Sequence, residues 1–172
     1  MSTVSIRPIQ NRDASLIVKW RNLDSVRSKF IFQENFTLEL HMNWIETKVK
    51  TGKVVQFIIE MDNRPVGSVY LRDIDTSSKK AEFGIFIGED AARGQGVGRA
   101  ATAQILEYAF NNLNLNKVFL RVFEENLVAI SCYKKAGFIF EGCAREDVII
   151  NGEKHNIVFM SILEKEWRKN ND

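Results

Sequence analysis

The sequence is poor in several residue types on which metal sites and disulfide scaffolds depend. It contains two cysteines, two histidines and two prolines among 172 residues. Cys132 and Cys143 show no metal-type spacing, so we expect reduced thiols and no metal ion. No repeat, low-complexity tract or Pro/Ser-rich linker interrupts the chain, and its length suits one hydrophobic core. The sequence therefore predicts a single domain over residues 1–172.

Long apolar runs and an excess of one charge are also missing. No segment approaches the ~20 apolar residues that span a bilayer, and residues 1–7 contain no run of signal-peptide length. Lys plus Arg (24) nearly balances Asp plus Glu (22), which leaves a formal net charge of +2. This balance gives no support to a nucleic-acid or anionic-membrane partner. We therefore expect a cytoplasmic protein without such partners, and we leave a homodimer open.

The hydrophobic periodicity and the positions of capping and turn residues predict a mixed α/β domain of the α+β kind. The first third predicts a strand over residues 4–7 and two helices, with Asp13 capping the first and Thr37 the second. An antiparallel meander follows, then a strand-loop-helix-strand unit, a further helix and a hairpin at Asn151-Gly152. The later elements are predicted over residues 54–59, 66–71, 81–87, 98–110, 117–123, 126–135, 147–150 and 157–162.

A glycine loop, Arg93-Gly94-Gln95-Gly96-Val97-Gly98, lies between a predicted strand and a predicted helix. Its glycines allow close approach of the backbone, and the first N–H groups of the helix face an anion with the helix dipole behind them. Arg93 and Arg99 add positive charge. The loop is therefore a candidate pyrophosphate cradle, with a simple tight turn as the alternative.

Two other phosphate motifs fit the glycine loop less well. Residues 96–101 match G-x-G-x-x-A, with Glu124 after the next strand, as in nicotinamide enzymes. However, that fingerprint directly follows a strand in a parallel sheet, whereas residues 89–93 intervene here and antiparallel hairpins come first. No Gly-Lys-Ser/Thr follows the glycines, which excludes an ordinary P-loop.

The chain resembles the GNAT superfamily of acetyl-CoA-dependent N-acetyltransferases. Arg93, Gly96 and Gly98 meet the family's loop pattern, and residues 126–138 carry its Asn-x-x-Ala helix with Tyr133 before Ala-Gly-Phe. The resemblance covers nearly the whole chain. It implies a GNAT-type domain with a mixed, mostly antiparallel central sheet flanked by helices. It also implies acetyl-CoA as the acetyl donor and a small-molecule amine as the acceptor.

The resemblance also implies which residues bind acetyl-CoA, within a core over residues 81–138. The backbone of Ile85, Phe86 and Ile87 is expected to pair with the pantetheine arm. Asn126 is expected to orient the cofactor from the other side. The residues expected to hold the pyrophosphate are Arg93, Gly94, Gln95, Gly96, Val97, Gly98 and Arg99.

Acetyl transfer to an amine needs a neutral amine, a stabilised oxyanion and a proton for the departing thiolate. Tyr133 is the acid by resemblance, because a phenol with a reference pKa of ~10 stays protonated near neutrality. Many family members carry Glu where this chain has Arg121, so the base is chosen from other residues. Glu82 is our first choice, acting through water, and a solvent-facing strand carboxylate is the alternative.

Other residues remain open for the proton-accepting or substrate-contacting roles. The resemblance also allows a reaction without a dedicated base, when the pKa of the amine is low enough. A covalent acyl-cysteine on Cys132 is rejected, because adjacent helical residues point about 100° apart and no paired His is evident. We therefore expect direct attack in a ternary complex. The open candidates are His41, His155, Glu124 and Glu125.

The N-terminal region, about residues 1–52, is expected to shape the acceptor site. It resembles the subgroup that acetylates amino groups on nucleotide-linked deoxy-sugars, as in the pseudaminic acid pathway. Trp20 and Trp44 are either stacking platforms or core residues, and Arg21 or Arg27 suits a nucleotide diphosphate. Residues 141–163 are equally similar to spermidine acetyltransferases and to RimJ/RimL-type acetyltransferases of protein N-termini. A non-catalytic acetyl-CoA-binding module is a further alternative.

Overall fold

One mixed sheet of seven strands forms the centre of the computed structural model, which describes residues 2–171. Met1 and Asp172, the two ends of the predicted domain, lie outside the described residues. The strands are β1 (Val4–Pro8), β2 (Val55–Met61), β3 (Arg64–Asp75), β4 (Lys80–Ile87), β5 (Lys117–Phe123), β6 (Ile139–Ile150) and β7 (Glu153–Leu163). Their order is β1-β2-β3-β4-β5-β7-β6, and every neighbouring pair is antiparallel except β4 and β5.

Helices cover both faces of this sheet. The Thr37 side chain accepts a hydrogen bond from the Leu40 backbone N–H at 3.1 Å, so the predicted cap is confirmed. No helix among residues 2–171 is long and apolar enough to cross a membrane. The helices are α1 (Ala14–Arg21), α2 (Asp24–Arg27), α3 (Leu38–Trp44), α4 (Val97–Glu107), α5 (Leu127–Lys135) and α6 (Glu164–Asn171), with π-helical turns at Ile45–Val49 and Tyr108–Asn112.

The predicted mixed, mostly antiparallel sheet flanked by helices is confirmed. One strand is longer than predicted, and one helix is additional. The final hairpin turns at Asn151 and Gly152, whose φ angles of 50° and 81° are those of a primed two-residue turn. Its first strand, β6, begins earlier than predicted, at Ile139. The C-terminal helix α6 was not predicted at all, and it is held by Trp167 packing on Phe110.

Asp13 does not cap α1 as predicted. Its carboxylate accepts two hydrogen bonds of 2.8 Å from the Arg7 guanidinium and a third from the Gln10 backbone N–H. No side-chain hydrogen bond caps α1. A charged partner on β1 therefore takes the carboxylate away from the free N–H groups of the helix, since charge-assisted bonds are the stronger ones.

The two faces of the sheet bury different clusters. Alternate residues of a strand point to opposite faces, so Val69 and Leu71 of β3 face the larger core with α4. Ile58 and Phe86 face the other side, where they pack with Trp20 of α1 and Val26 in α2. The helices of the N-terminal region therefore cover one face, and α4 covers the opposite one.

The parallel pair β4 and β5 separates part-way along the sheet. Pairing covers Lys80–Glu82 with Lys117–Phe119 and then stops. Beyond this point the edge of β4 that faces β5 has no strand partner, although its other edge stays paired to β3 as far as Ile87. A V-shaped cleft with unpaired backbone groups therefore opens in the middle of the sheet.

Candidate active site

A cavity of about 1360 Å³ occupies this cleft and extends across the sheet. The glycine loop, β4, β5 and α5 line one part of it, and α1, α2, α3, their connections and residues of β2 and β3 line the rest. Small-molecule sites usually measure about 300–1,000 Å³. The cavity is therefore large enough to hold two substrates side by side.

The glycine loop has the geometry of an anion cradle. Gly94 and Gly96 adopt left-handed φ angles of 74° and 77°, which favour glycine. A Cβ added at either of them, or at Gly98, would meet no atom within 4 Å, so the loop presents bare backbone to open space. No side chain caps α4, whose first-turn N–H groups are left for a ligand. This geometry suits the predicted role as a pyrophosphate cradle.

The polar side chains of the loop differ in what they offer. Arg93 is held by Asp90 at 2.9 Å, by the Ser25 hydroxyl at 3.1 Å and by the Ile87 carbonyl at 3.0 Å, so its guanidinium braces the loop against β4 and α2. Arg99 is exposed, lines the cavity and has no ion pair among residues 2–171. Arg99 is thus the freer cation of the predicted pair.

Gln95 differs from the other loop residues. Its side-chain amide donates to the Ala91 carbonyl, and Gln95 does not line the cavity. Any contact with a phosphate would come from its backbone. Its neighbours Gly94, Gly96 and Val97 do line the cavity.

The structure brings the predicted cofactor strand and Asn126 to opposite walls of the cleft. Ile85, Phe86 and Ile87 line the cavity along the edge of β4 that has no strand partner, where the Ile87 carbonyl accepts from Arg93. Asn126 is the N-cap of α5, where its side-chain oxygen accepts the Ala129 N–H at 3.3 Å. Its side-chain nitrogen has no hydrogen-bond partner in the described part of the chain. Asn126 therefore fixes the start of α5 and retains a free donor.

Tyr133 reaches the cleft from α5. Its ring packs edge-on against Phe83, with centroids 5.8 Å apart, and lies 6.0 Å from the Phe138 ring. Burial raises the pKa of the Tyr133 phenol above its usual value, with smaller contributions from Cys132 and Tyr70. Within residues 2–171 its hydroxyl makes no hydrogen bond. The phenol is thus protonated and free to donate.

Glu82 is not the solvent-facing carboxylate of the alternative interpretation, because it is only 6% exposed. One oxygen lies 2.8 Å from the Arg121 Nε, and the other lies 3.1 Å from an Arg72 Nη. The carboxylate thus joins β3, β4 and β5 through two ion pairs. The role of Glu82 as the base stays a prediction.

Two polar side chains on the acceptor side have buried nitrogens without a hydrogen-bond partner among residues 2–171. Arg21 is 9% exposed, lies 3.6 Å from the centroid of the Phe30 ring, and has an unpaired Nη1. His41 is 1% exposed, and neither ring nitrogen makes a hydrogen bond. Burial, followed by the nearby Arg21 charge, lowers the pKa of His41 to about 4. His41 is therefore a neutral imidazole near pH 7 and a weak base.

Comparison with known proteins decides the family. An acetyltransferase (GNAT) domain model matches residues 3–139. The spermidine N(1)-acetyltransferase of Escherichia coli K12 is 30% identical over 166 residues, covering 96% of this chain and 88% of that protein. The chain belongs to the GNAT acetyltransferase family. It is an acyltransferase whose acetyl donor is acetyl-CoA.

Two further relatives of this acetyltransferase are similar over most of its length. The crystal structure of Vibrio cholerae spermidine N-acetyltransferase with CoA and spermine superposes with a TM-score of 0.90 at 26% identity, covering 96% of this chain and 98% of that chain. The acetyltransferase PseH of Campylobacter jejuni is 26% identical over 130 residues, covering 76% of this chain and 79% of that protein.

Several other sequence candidates lie away from the reaction cleft of this acetyltransferase. Trp20 is fully buried, and its indole N–H donates to Glu89 at 2.7 Å, so the stacking role is wrong for this residue. Trp44 does line the cavity, half-buried. Three other candidates lie outside the cavity lining. Arg27 pairs with Asp24, and Glu125 pairs with His155. Glu124 accepts a hydrogen bond from the Asn156 side chain.

No local sequence signal points to Tyr70 or Arg72, although both line the cavity. Their strand was predicted only as far as Leu71, and their importance depends on its register with β4. No group of three or more His, Cys, Asp or Glu side chains among residues 2–171 is arranged to hold a metal ion.

Proposed function

We propose that this acetyltransferase moves an acetyl group from acetyl-CoA to a primary amine by direct attack in a ternary complex. One continuous cavity carries this proposal. It joins the glycine cradle and the β4/β5 cleft to a compartment under α1–α3, and Tyr133 lines it. Both substrates then fit at once, as direct transfer requires.

The chemistry follows from the positions of these groups. The cradle at Gly94, Gly96 and Gly98 would hold the pyrophosphate, and the unpaired edge of β4 would pair with the pantetheine amides. The amine attacks the thioester carbonyl carbon, the C–S bond breaks, and Tyr133 donates a proton to the sulfur. The proton lost by the amine goes to water or, through water, to Glu82, and exchange with solvent restores the phenol.

The two regions of the chain take different substrates in this proposal. Residues 81–138 bind acetyl-CoA, and residues 1–52 shape the acceptor compartment. The spermidine acetyltransferase relatives support a polyamine as the first acceptor to test. The homodimer left open by the sequence stays a prediction.

A second acceptor class is supported by the charges that line the cavity. Eight Lys and Arg side chains line it, whereas Glu82 is the one carboxylate of the described lining and already pairs with two arginines. A polyamine finds no free carboxylate there. The unpaired Arg21 and His41 instead suit an amine that also carries an anionic or carbonyl-rich group, such as a nucleotide-linked amino-deoxy-sugar.

A panel of amines tests the proposed function. We expect thiol release from acetyl-CoA, above a blank without amine, with spermidine, a nucleotide-diphosphate-linked amino-deoxy-sugar or an N-terminal peptide. Mass spectrometry of the product would show the added acetyl group on nitrogen. Tight acetyl-CoA binding without thiol release to any member would instead support a non-catalytic binding module.

Arg21→Met separates the two acceptor classes. Met keeps much of the apolar volume over Phe30 but removes the guanidinium. If the acceptor is anionic, kcat/KM for that amine falls about 10- to 100-fold, because a hydrogen bond to a charged group contributes ~1.5–3 kcal/mol. With spermidine no such loss is expected. Arg27→Met is the matched control, since Arg27 pairs with Asp24 outside the cavity.

A further inference from the structure

Tyr70 is a half-buried phenol in the cavity wall that none of the roles above uses. On β3 it lies directly opposite Gly84 of β4. A Cβ added at Gly84 would meet Cζ of Tyr70 at 2.3 Å and its hydroxyl oxygen at 2.4 Å. The phenol therefore lies against the bare backbone of Gly84. Only glycine leaves room for it there.

Two phenols thus approach one point of β4 from opposite faces of the sheet. Tyr133 packs against Phe83, and Tyr70 lies on the next residue, Gly84. Because strand residues alternate in direction, Tyr70 shares its face with Arg72 and Glu82, the face that α1 and α2 cover. This point is also where pairing with β5 ends and the cleft opens. Tyr133 lies on the α5 side, and Tyr70 on the acceptor side.

The surroundings of Tyr70 leave its hydroxyl free for a substrate. It makes no hydrogen bond within residues 2–171, and Arg72 and Arg121 are already engaged by Glu82. Burial raises the pKa of Tyr70, with opposing effects from Arg72 and Arg21, so the phenol stays neutral. A neutral phenol oxygen both donates and accepts hydrogen bonds.

We propose that the Tyr70 hydroxyl binds the attacking nitrogen of the acceptor amine. The phenol oxygen accepts one N–H of the amine and thereby directs the nitrogen lone pair towards the thioester carbon. Nearby Arg21, Arg72 and Arg121 disfavour a second cation, so the amine is held in its neutral, nucleophilic form. No bond to Tyr70 forms or breaks. This role rests on the proposed function and adds a positioning contact on the acceptor side.

Tyr70→Phe tests the proposal by steady-state kinetics with spermidine and with the nucleotide-linked amino-deoxy-sugar. We expect kcat/KM for the accepted amine to fall about 10- to 100-fold, as for loss of one orienting hydrogen bond. The acetyl-CoA Kd from calorimetry and the Tm stay unchanged. Tyr108→Phe is the matched control, because Tyr108 packs against Phe57 on the opposite face of the sheet.

The outcomes separate this inference from the function on which it rests. If the wild-type chain releases no thiol with any amine, the proposed function fails. If the wild type is active and Tyr70→Phe matches Tyr108→Phe, the positioning role is wrong. A Tyr70→Phe variant that weakens acetyl-CoA binding would place the hydroxyl on the cofactor instead, which also overturns the proposal.

Discussion

Tyr133→Phe is expected to lower kcat by about 100- to 1,000-fold and to leave acetyl-CoA affinity intact. General acid catalysis contributes ~10²–10⁴ in rate, and the departing thiolate would lose its proton donor. The Phe ring keeps the packing on Phe83 and Phe138, so the fold is not disturbed. Thiol release gives kcat, and calorimetry gives the Kd of acetyl-CoA.

The pH dependence of the wild type checks the same assignment. Burial raises the pKa of Tyr133 above its ordinary ~10, so the donor form persists as pH rises and is lost only above that pKa. We therefore expect that deprotonation of Tyr133 causes no fall in the kcat of the wild type below pH ~10. An alkaline limb below pH 9 that disappears in Tyr133→Phe but remains in Tyr108→Phe would contradict the assignment. Unchanged turnover in Tyr133→Phe would do so directly.

The predictable part of this site is the part encoded by neighbouring residues. The glycine loop, the Asn126 cap and the left-handed Gly137, with φ of 99°, are local signals that need no knowledge of the rest of the chain. They fixed the elements between residues 81 and 138 to within a few residues. The strand β5 was predicted with its observed bounds, Lys117–Phe123.

The acceptor side depends on long-range pairing that local patterns do not contain. Glu82 meets Arg72 and Arg121 only because three strands align in one register, and Tyr70 reaches Gly84 for the same reason. The predicted cap at Asp13 failed for a related reason, because the Asp13 carboxylate pairs with Arg7 on β1 and not with the N–H groups of α1. Local signals thus predict a backbone cradle better than a side-chain cluster.

The two unpredicted segments carry weak apolar patterns for identifiable reasons. The edge strand β6 leaves Ile139, Phe140 and Ile149 exposed and interrupts its pairing at two irregularities. Alternation between buried and exposed residues is therefore weak along it. Helix α6 is mostly charged, and Trp167 supplies its packing on Phe110.

Glu82→Gln is expected to destabilise the fold by about 2–4 kcal/mol, since removing one charge of a buried ion pair leaves its partners uncompensated. Arg121 would lose its counter-ion, and Arg72 would keep only Asp73 at 3.9 Å, in a site where the carboxylate is 6% exposed. Gln keeps the size and one acceptor oxygen. Urea unfolding with an unchanged m-value would measure the loss, and Glu124→Gln, outside the cavity lining, is the matched control.

The same variant distinguishes a structural clamp from a base. If Glu82 only holds the two arginines, kcat falls modestly while its pH profile keeps its shape, and Arg121→Gln gives a similar, non-additive loss. If Glu82 accepts the amine proton, Glu82→Gln lowers kcat at least 100-fold and removes the acid limb of the profile. The two ion pairs lead us to expect the first result, because both carboxylate oxygens of Glu82 are already engaged by the guanidiniums of Arg72 and Arg121.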